Sequence, residues 1–133
     1  MSQNQNTNSN QPNNQEIFYG NPVFVYTSDQ AVEDGILFDV TAINPKWKEG
    51  MFNYVTINLL NNGYLNKNDI INIPNLVDLL VQAQEIVKKA TNNYTAFDTF
   101  FSGSIELPSG AQQEIFIGQN ETEKFTIMLP EDY

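Results

Sequence analysis

The segment from Asn75 to Ala90 carries a clear helical signal, because its apolar residues recur at the spacing of one helix face. These positions follow i, i+3, i+4 and i+7, and they are Leu76, Leu79, Leu80, Ala83, Ile86, Val87 and Ala90. Asn72, two residues before Pro74, fits the start of such a helix. The spacing predicts one main amphipathic helix, whose apolar stripe must be buried against another layer of the core.

Three β-prone segments follow the helix and supply that layer. They cover residues 97–107, Glu114–Ile117 and Lys124–Leu129, and short turns at Pro108–Gly110 and Gly118–Glu121 join them. Short connections between consecutive strands predict an antiparallel meander. Alternation directs one set of side chains toward the helix: Ile115, Ile117, Phe125, Ile127 and Leu129.

The other face of this meander is also partly apolar. Phe116 and Met128 point away from the helix, and Phe100 and Phe101 put one ring on each face. Either a second layer from the N-terminal half covers these side chains, or they form an exposed patch. Gly103, inside the first strand, favours a β-bulge.

Residues 23–40 predict a strand, a short helix and a second strand. Val23–Tyr26 is apolar and β-prone, and Thr27 or Ser28 can cap the helix that follows. Gly35 suits the left-handed position that ends a helix, and Ile36–Phe38 is then expected to be buried. We expect this unit to close the exposed face of the meander.

Two further short elements are expected in the middle of the chain. Residues 51–57 alternate and predict a strand, and Thr56 can cap a helical turn that Gly63 ends. Residues 41–50 predict a loop around Pro45, and the only Trp of the chain, Trp47, is expected to fold over the edge of the core.

These patterns combine into an α+β fold. A C-terminal three-stranded antiparallel meander packs on one main amphipathic helix, and short N-terminal strand–helix–strand elements complete it. Ten of residues 1–15 are Asn or Gln, which predicts a disordered leader because little in this segment can be buried. Residues 16–133 then form a single domain.

Composition excludes several kinds of chemistry. The 133 residues include no Cys and no His, so disulfides, zinc–thiolate sites and mechanisms based on Ser-His-Asp or Cys-His are excluded. Acid–base catalysis would need carboxylates, and nothing places Asp34, Asp39 or Asp98 at a fixed separation. We therefore predict a protein that is not an enzyme and has no cofactor.

Charge points to a protein partner rather than to nucleic acid. The net charge is −10, with six Lys and no Arg, and this acidic field argues against direct binding of nucleic acid. The same field would attract a basic protein surface. The alternative is that the acidic charge only keeps a small protein dispersed in solution. The chain has no signal-peptide pattern and no apolar run of the ~20 residues that span a membrane, so we expect it in the cytoplasm.

Two motifs resemble a known family. The first is Y-[ST]-x-x-Q-A-[IV]-x-D-G-[VIL]-L-x-D-V, matched by Tyr26, Thr27, Gln30, Ala31, Val32, Asp34, Gly35, Ile36, Leu37, Asp39 and Val40. The second is a closing strand that ends L-P-x-[DE], at Leu129–Asp132. Both resemble a domain-of-unknown-function family carried on bacterial plasmids and phages. The resemblance implies a mobile-element origin and supplies no catalytic residues.

These observations favour a small acidic protein-binding module. The module would inhibit a host nucleic-acid-handling protein, such as a CRISPR or restriction nuclease, by phosphate mimicry, and it would use no direct nucleic-acid or membrane contact. The candidate interaction surface consists of Glu33, Asp34, Asp39, Trp47, Glu121, Glu123, Glu131 and Asp132. The alternative is an accessory domain that binds a small ligand or a divalent metal through the region of Asp34 and Asp39, although the spacing differs from an EF-hand loop.

Overall fold

A computed structural model describes residues 27–91 and 98–133 of the chain. Its helices and strands follow one another as α1 (Ser28–Glu33), β1 (Leu37–Asp39), β2 (Phe52–Thr56), α2 (Ile57–Leu60), α3 (Ile73–Thr91), β3 (Phe100–Glu106), β4 (Gln112–Gln119) and β5 (Phe125–Met128). Short 3₁₀ helices cover Val40–Ala42, Pro45–Glu49, Lys67–Asp69 and Pro130–Asp132. The α+β class is confirmed, whereas the predicted leader at 1–15 and strand at 23–26 lie outside the described residues.

The five strands form one sheet in the order β1-β2-β5-β4-β3. Strands β3, β4 and β5 are antiparallel neighbours, as the predicted meander requires, but they are part of a five-stranded sheet and not a separate three-stranded one. Strand β2 pairs in parallel with β5, and β1 pairs antiparallel with β2. The expectation that the unit of residues 23–40 closes the exposed face of the meander is right for α1 only, because β1 extends the sheet beyond β2 instead of covering the meander. All five residues of β2 are buried, as expected of a strand with a neighbour on each side and a layer on each face.

Helix α3 covers one face of this sheet, as its sequence predicts. Asn72 caps it, because the N–H of Asn75 donates to Oδ1 of Asn72 at 3.1 Å. The stripe residues Leu76, Leu79, Ala83 and Val87 are buried, and the other three pack beside them. The sheet residues expected to face the helix belong to the same core cluster or pack against it: Ile115, Ile117, Phe125, Ile127 and Leu129.

Gly103 allows α3 to approach the sheet closely. A Cβ atom at this position would lie 2.8 Å from Cδ1 of Ile86. The predicted bulge is wrong, because β3 and β4 keep a regular register over seven residue pairs from Phe100 to Glu106. The glycine serves close packing between helix and sheet rather than a break in the strand.

Helix α1 has a defined start and end. Thr27 caps it, and Gln30 completes a capping box by bonding back to the N–H of Thr27 at 3.2 Å. Gly35 follows with φ of +75°, the left-handed conformation predicted for it. Ile36 is 50% exposed, so its predicted burial is wrong, since it lies at the open rim of a cavity beside α1.

The short strand and helix predicted in the middle of the chain are both present. Thr56 caps α2 through the N–H of Leu59 at 3.4 Å, and Gly63 closes the following turn with φ of +107°. Residues 45–49 form a 3₁₀ helix where a loop was expected, because Asn44 caps it and Pro45 occupies its first position. No helix in the described ranges has the length and hydrophobicity that crossing a membrane requires.

Candidate protein-binding face

The sheet has a second face, opposite α3, on which α1 and the C-terminal 3₁₀ helix lie. Register places Asp39, Tyr54, Thr126, Gly118 and Phe100 in one row across this face. The next row contains Thr56, Met128 and Phe116. We call this side of the protein the α1 face.

Three aromatic rings form a cluster on the α1 face. The rings of Phe100 and Phe116 are 5.0 Å apart, and Tyr133 lies 5.1 Å from the first and 5.7 Å from the second. The ring of Phe116 meets those of Phe100 and Tyr133 edge to face, whereas the rings of Phe100 and Tyr133 are tilted, and all three distances are favourable for aromatic contact. Phe100 is 40% exposed and Tyr133 is 80% exposed, so the cluster, which we call the aromatic patch, faces solvent within the described structure.

A cavity of about 300 Å³ separates α1 from the aromatic patch. Ala31 and Ile36 line it from the side of α1, and Met128 and Tyr133 line it from the sheet and the C-terminal 3₁₀ helix. Helix α1 is only six residues long and covers part of the sheet face. Phe116 and Met128 are therefore partly covered by the elements on this face, and the aromatic patch beside them is exposed.

Eight carboxylates lie on the elements that form or border the α1 face. Asp29 and Glu33 belong to α1, Asp34 caps its end, and Asp39 ends β1. Glu121 and Glu123 lie in the turn between β4 and β5, beside the start of α1, and Glu131 and Asp132 lie in the C-terminal 3₁₀ helix. The acidic set is Asp29, Glu33, Asp34, Asp39, Glu121, Glu123, Glu131 and Asp132.

The lysines lie in other parts of the molecule. Lys46 and Lys48 belong to the 3₁₀ helix Pro45–Glu49, Lys67 to the next one, and Lys88 and Lys89 to the end of α3. Lys124 follows the β4–β5 turn, but its Nζ donates to the C=O of Lys48 at 2.6 Å and also to that of Gly50. The net negative charge is therefore concentrated on the α1 face.

Tyr54 shows that three carboxylates converge at one end of this face. Burial raises the pKa of its hydroxyl, and the negative charges of Asp29, Asp39 and Glu121 raise it further. Each charge lies close enough to disfavour a phenolate. The structure thus brings together Asp39 and Glu121, which are far apart in sequence, and adds Asp29, which the sequence placed only in the first turn of α1.

Glu121 attaches α1 to the sheet. Its two carboxylate oxygens accept hydrogen bonds from the backbone N–H of Ser28 at 2.9 Å and from the hydroxyl of Ser28 at 2.8 Å. Burial alone would raise the pKa of this carboxyl, but the hydrogen bonds from Ser28 outweigh it and hold the pKa below 4.5. Glu121 is therefore structural as well as acidic.

Two other predicted residues also have structural partners. Asp39 accepts from the N–H and hydroxyl of Thr41, at 2.9 and 2.6 Å, and so caps the 3₁₀ helix Val40–Ala42. Asp132 accepts from the hydroxyl of Thr56 at 2.7 Å and from the side chain of Asn58 at 2.8 Å. The remaining acidic residues, among them Glu33, Asp34, Glu123 and Glu131, are exposed.

The metal alternative gains no geometric support from this arrangement. Asp34 lies at the exposed end of α1, whereas Asp39 directs one oxygen to Thr41. Within residues 27–91 and 98–133, no group of three or more carboxylates is arranged to hold a metal ion. A pair of carboxylates alone provides few of the oxygen ligands that Ca²⁺ takes.

Trp47 lies apart from the acidic residues with which it was grouped. It packs against the core, as expected, and lines a groove of about 260 Å³ with Val77 and Val81 of α3. That groove is on the helix side of the sheet, whereas the carboxylates lie on and around the opposite face. The predicted surface therefore divides into an acidic face and a separate tryptophan.

The sequence interpretation missed one part of the face. Strand alternation predicts that Phe100 and Phe101 lie on opposite faces of the sheet, but it does not show what contacts Phe116. In the structure, Phe116 contacts Phe100. Tyr133 joins them because the 3₁₀ helix Pro130–Asp132 turns the chain back across the sheet. No local pattern in the sequence predicts that the chain turns back across the sheet there.

Comparison with known proteins adds no further assignment. No protein-family model, curated protein or solved structure matches this chain. The resemblance to a plasmid and phage family stays a prediction from the two motifs.

Proposed function

We propose that this protein is an acidic protein-binding module whose α1 face binds a basic surface of a partner. The observation that carries the proposal is the combination, on one face, of an exposed aromatic patch and a set of eight carboxylates. Aromatic side chains commonly provide the energetic centre of an interface, and complementary charge at its rim speeds and orients association.

We further propose that the partner is a nucleic-acid-handling protein that the module inhibits. The basic groove of such a protein binds phosphates, and an array of fixed carboxylates can occupy the same groove. A host CRISPR or restriction nuclease fits the mobile-element origin that the sequence resemblance implies. Such an inhibitor would act in the cytoplasm, without a cofactor and without catalysis.

The test is a competition experiment on a purified partner. The full-length chain is first used to capture proteins from host lysate, and a captured protein is then bound to labelled duplex DNA. We expect the wild-type chain to displace that DNA in proportion to its concentration, and more weakly as salt is raised, because exposed charge is screened.

Charge variants make this test specific to the α1 face. The triple variant Glu33→Gln, Glu123→Gln, Glu131→Gln removes three exposed charges from that face. The matched control Glu49→Gln, Asp69→Asn, Glu85→Gln removes three exposed charges from other elements. We expect the first variant to displace DNA about tenfold more weakly, from roughly 0.5 kcal/mol per exposed charge, and the control to act like wild type. Equal weakening of both variants, or displacement that ignores salt, would reject the proposal.

A further inference from the structure

Strand β3 forms one end of the sheet, and in the described structure only β4 pairs with it. Two hydrogen bonds show which of its residues face β4. Gln119 N–H donates to the C=O of Thr99 at 2.9 Å, and Leu107 N–H donates to the C=O of Ala111 at 2.8 Å. Because bonded residues alternate in an antiparallel pair, odd-numbered residues of β3 bond to β4 and even-numbered residues point their backbone groups outward.

The side chain of Gln82 on α3 already occupies one outward position. Its Nε2 donates to the C=O of Glu106 at 3.0 Å, and its Oε1 accepts from the N–H of Glu106 at 2.8 Å. One amide thus makes both bonds that a neighbouring strand would make. This contact confirms the outward direction of the even-numbered residues, and it leaves Phe100, Ser102 and Ser104 as the open part of the edge.

Within residues 27–91 and 98–133, the open part of the edge lacks three features that commonly protect edge strands. Lysine, proline and bulges commonly prevent strands from adding to an exposed edge. From Phe100 to Glu106, β3 contains neither lysine nor proline, and its register shows no bulge. Ser102, Gly103 and Ser104 have small side chains, so an approaching backbone meets little obstruction.

We propose that β3 accepts an added strand from the basic partner, paired along Phe100–Ser104. This inference rests on the proposed function and names the contact by which the partner binds. Backbone hydrogen bonds would supply affinity, and alternate side chains would supply specificity.

Charge and shape indicate the side chains that this strand would carry. On the α1 face, Glu106 of β3 and Glu114 of β4 lie beside the open edge, and β3, β4 and β5 contain no lysine. A strand that continues the sheet would therefore place its basic side chains on the α1 face, near Glu106 and Glu114, and its alternate apolar side chains on the opposite face, beside Ile86 of α3. The occupant is thus an extended segment that alternates basic and apolar residues.

The probe for this test is a capped heptapeptide of alternating lysine and valine, added to the full-length, isotope-labelled protein. Hydrogen exchange is measured by NMR at the amides of Ser102 and Ser104. We expect about tenfold slower exchange at both amides when roughly 90% of the protein is bound. The amides of Gly103 and Ile105 already bond to β4 and serve as internal controls.

Two controls separate strand pairing from simple charge attraction. A peptide of the same sequence, N-methylated at alternate residues, keeps its charge but loses the donors needed for pairing. Ser102→Pro removes an outward N–H from the protein, which an edge strand tolerates, whereas Ser102→Ala keeps that N–H. Protection of the Ser104 amide that disappears with the methylated peptide and with Ser102→Pro, but persists with Ser102→Ala, supports the proposal.

Other outcomes overturn it in distinguishable ways. If both peptides bind equally and neither protects Ser102 and Ser104, strand addition is rejected while the acidic face stays a binding surface. If these amides are already protected without peptide, another part of the chain occupies the edge, or a second copy does when protection rises with protein concentration. Failure of the DNA competition alone would instead reject the proposed function.

Discussion

At the scale of single residues, the acidic face contains two kinds of carboxylate. Asp39, Glu121 and Asp132 accept hydrogen bonds that hold local structure, whereas Glu33, Glu123 and Glu131 are exposed. Substituting the first kind would disturb the fold together with the charge. Only substitutions of exposed carboxylates change binding without changing the fold. The charge variants therefore alter exposed carboxylates only.

Glu121 should make stability depend on pH in the acidic range. Its pKa in the folded protein is below 4.5, so its contribution is complete above the pKa of the unfolded chain and is lost as pH falls through the folded pKa. Glu121→Gln removes this contribution. We expect the difference in unfolding free energy between wild type and variant, measured with urea from pH 3 to pH 7, to be constant near neutrality and to shrink below about pH 4.5. A difference that stays constant down to pH 3 would contradict this role.

Tyr64 offers a second test at the same scale. It is fully buried, and its hydroxyl has no hydrogen-bond partner within the described ranges. Burial, with a smaller contribution from the charge of Asp78, raises the pKa of Tyr64 to about 12. Because an unpaired buried hydroxyl is unfavourable, we expect Tyr64→Phe to leave stability unchanged or to raise it by up to about 1 kcal/mol.

The control for Tyr64→Phe is Tyr64→Ala, which removes the ring. That variant should cost about 3–5 kcal/mol in urea unfolding, because it leaves a cavity in the core. A loss of more than about 1 kcal/mol in Tyr64→Phe would show instead that the hydroxyl has a stabilising partner.

At the scale of elements, the contact between α3 and β3 sets the spacing of helix and sheet. A methyl group on Gly103 would meet Cδ1, Cγ1 and Cγ2 of Ile86 at 2.8, 2.9 and 3.0 Å. All three are too short for carbon atoms, and a β-branched side chain on a helix has few other rotamers. We expect Gly103→Ala to lower the unfolding free energy by about 1–3 kcal/mol.

A double-mutant cycle assigns that loss to the helix contact. Ile86→Ala removes the atoms that the new methyl would meet, so the double variant should cost less than the sum of the two single variants. Additive losses would mean that Gly103→Ala acts through the strand backbone. Thermal or urea unfolding of the four proteins measures both outcomes.

At the scale of the whole molecule, β5 joins the two halves of the chain. It lies between β2 and β4, and Val55, Ile127 and Ile117 form a fully buried row across the three strands. The parallel pairing of β2 with β5 connects residues far apart in sequence. Neither half can complete the core alone, because the last strand in sequence occupies the middle of the sheet.

This arrangement predicts a single cooperative unfolding transition. Trp47 is the only tryptophan, and it packs at the edge of the core beside α3, so its fluorescence reports on that region. Far-ultraviolet circular dichroism reports on all helices and strands. We expect both signals to show the same midpoint in urea, as a two-state domain does. An earlier midpoint for the fluorescence of Trp47 would show that the edge around it opens independently.

The sequence predicted the elements of this protein well where local chemistry decides them. Helix α3 was predicted from its apolar period, α1 from Thr27 and Gly35, and the meander from its short turns. Ile36 was wrongly assigned to the core, because an apolar residue next to a strand does not show whether another layer covers it. The β-bulge at Gly103 was wrong because the glycine accommodates a helix that is distant in sequence.

For the candidate site too, local chemistry predicts some features and contacts between distant residues decide the others. The amount of charge, the absence of His and Cys, and the residues that supply the carboxylates are all read directly from the residue types. Their arrangement follows from the fold: Trp47 lies away from the carboxylates, Asp29, Asp39 and Glu121 lie near Tyr54, and three aromatic rings meet at the other end of the same face. Periodicity and capping act over a few residues, whereas the pairing of β2 with β5 and the return of Tyr133 depend on contacts between distant parts of the chain.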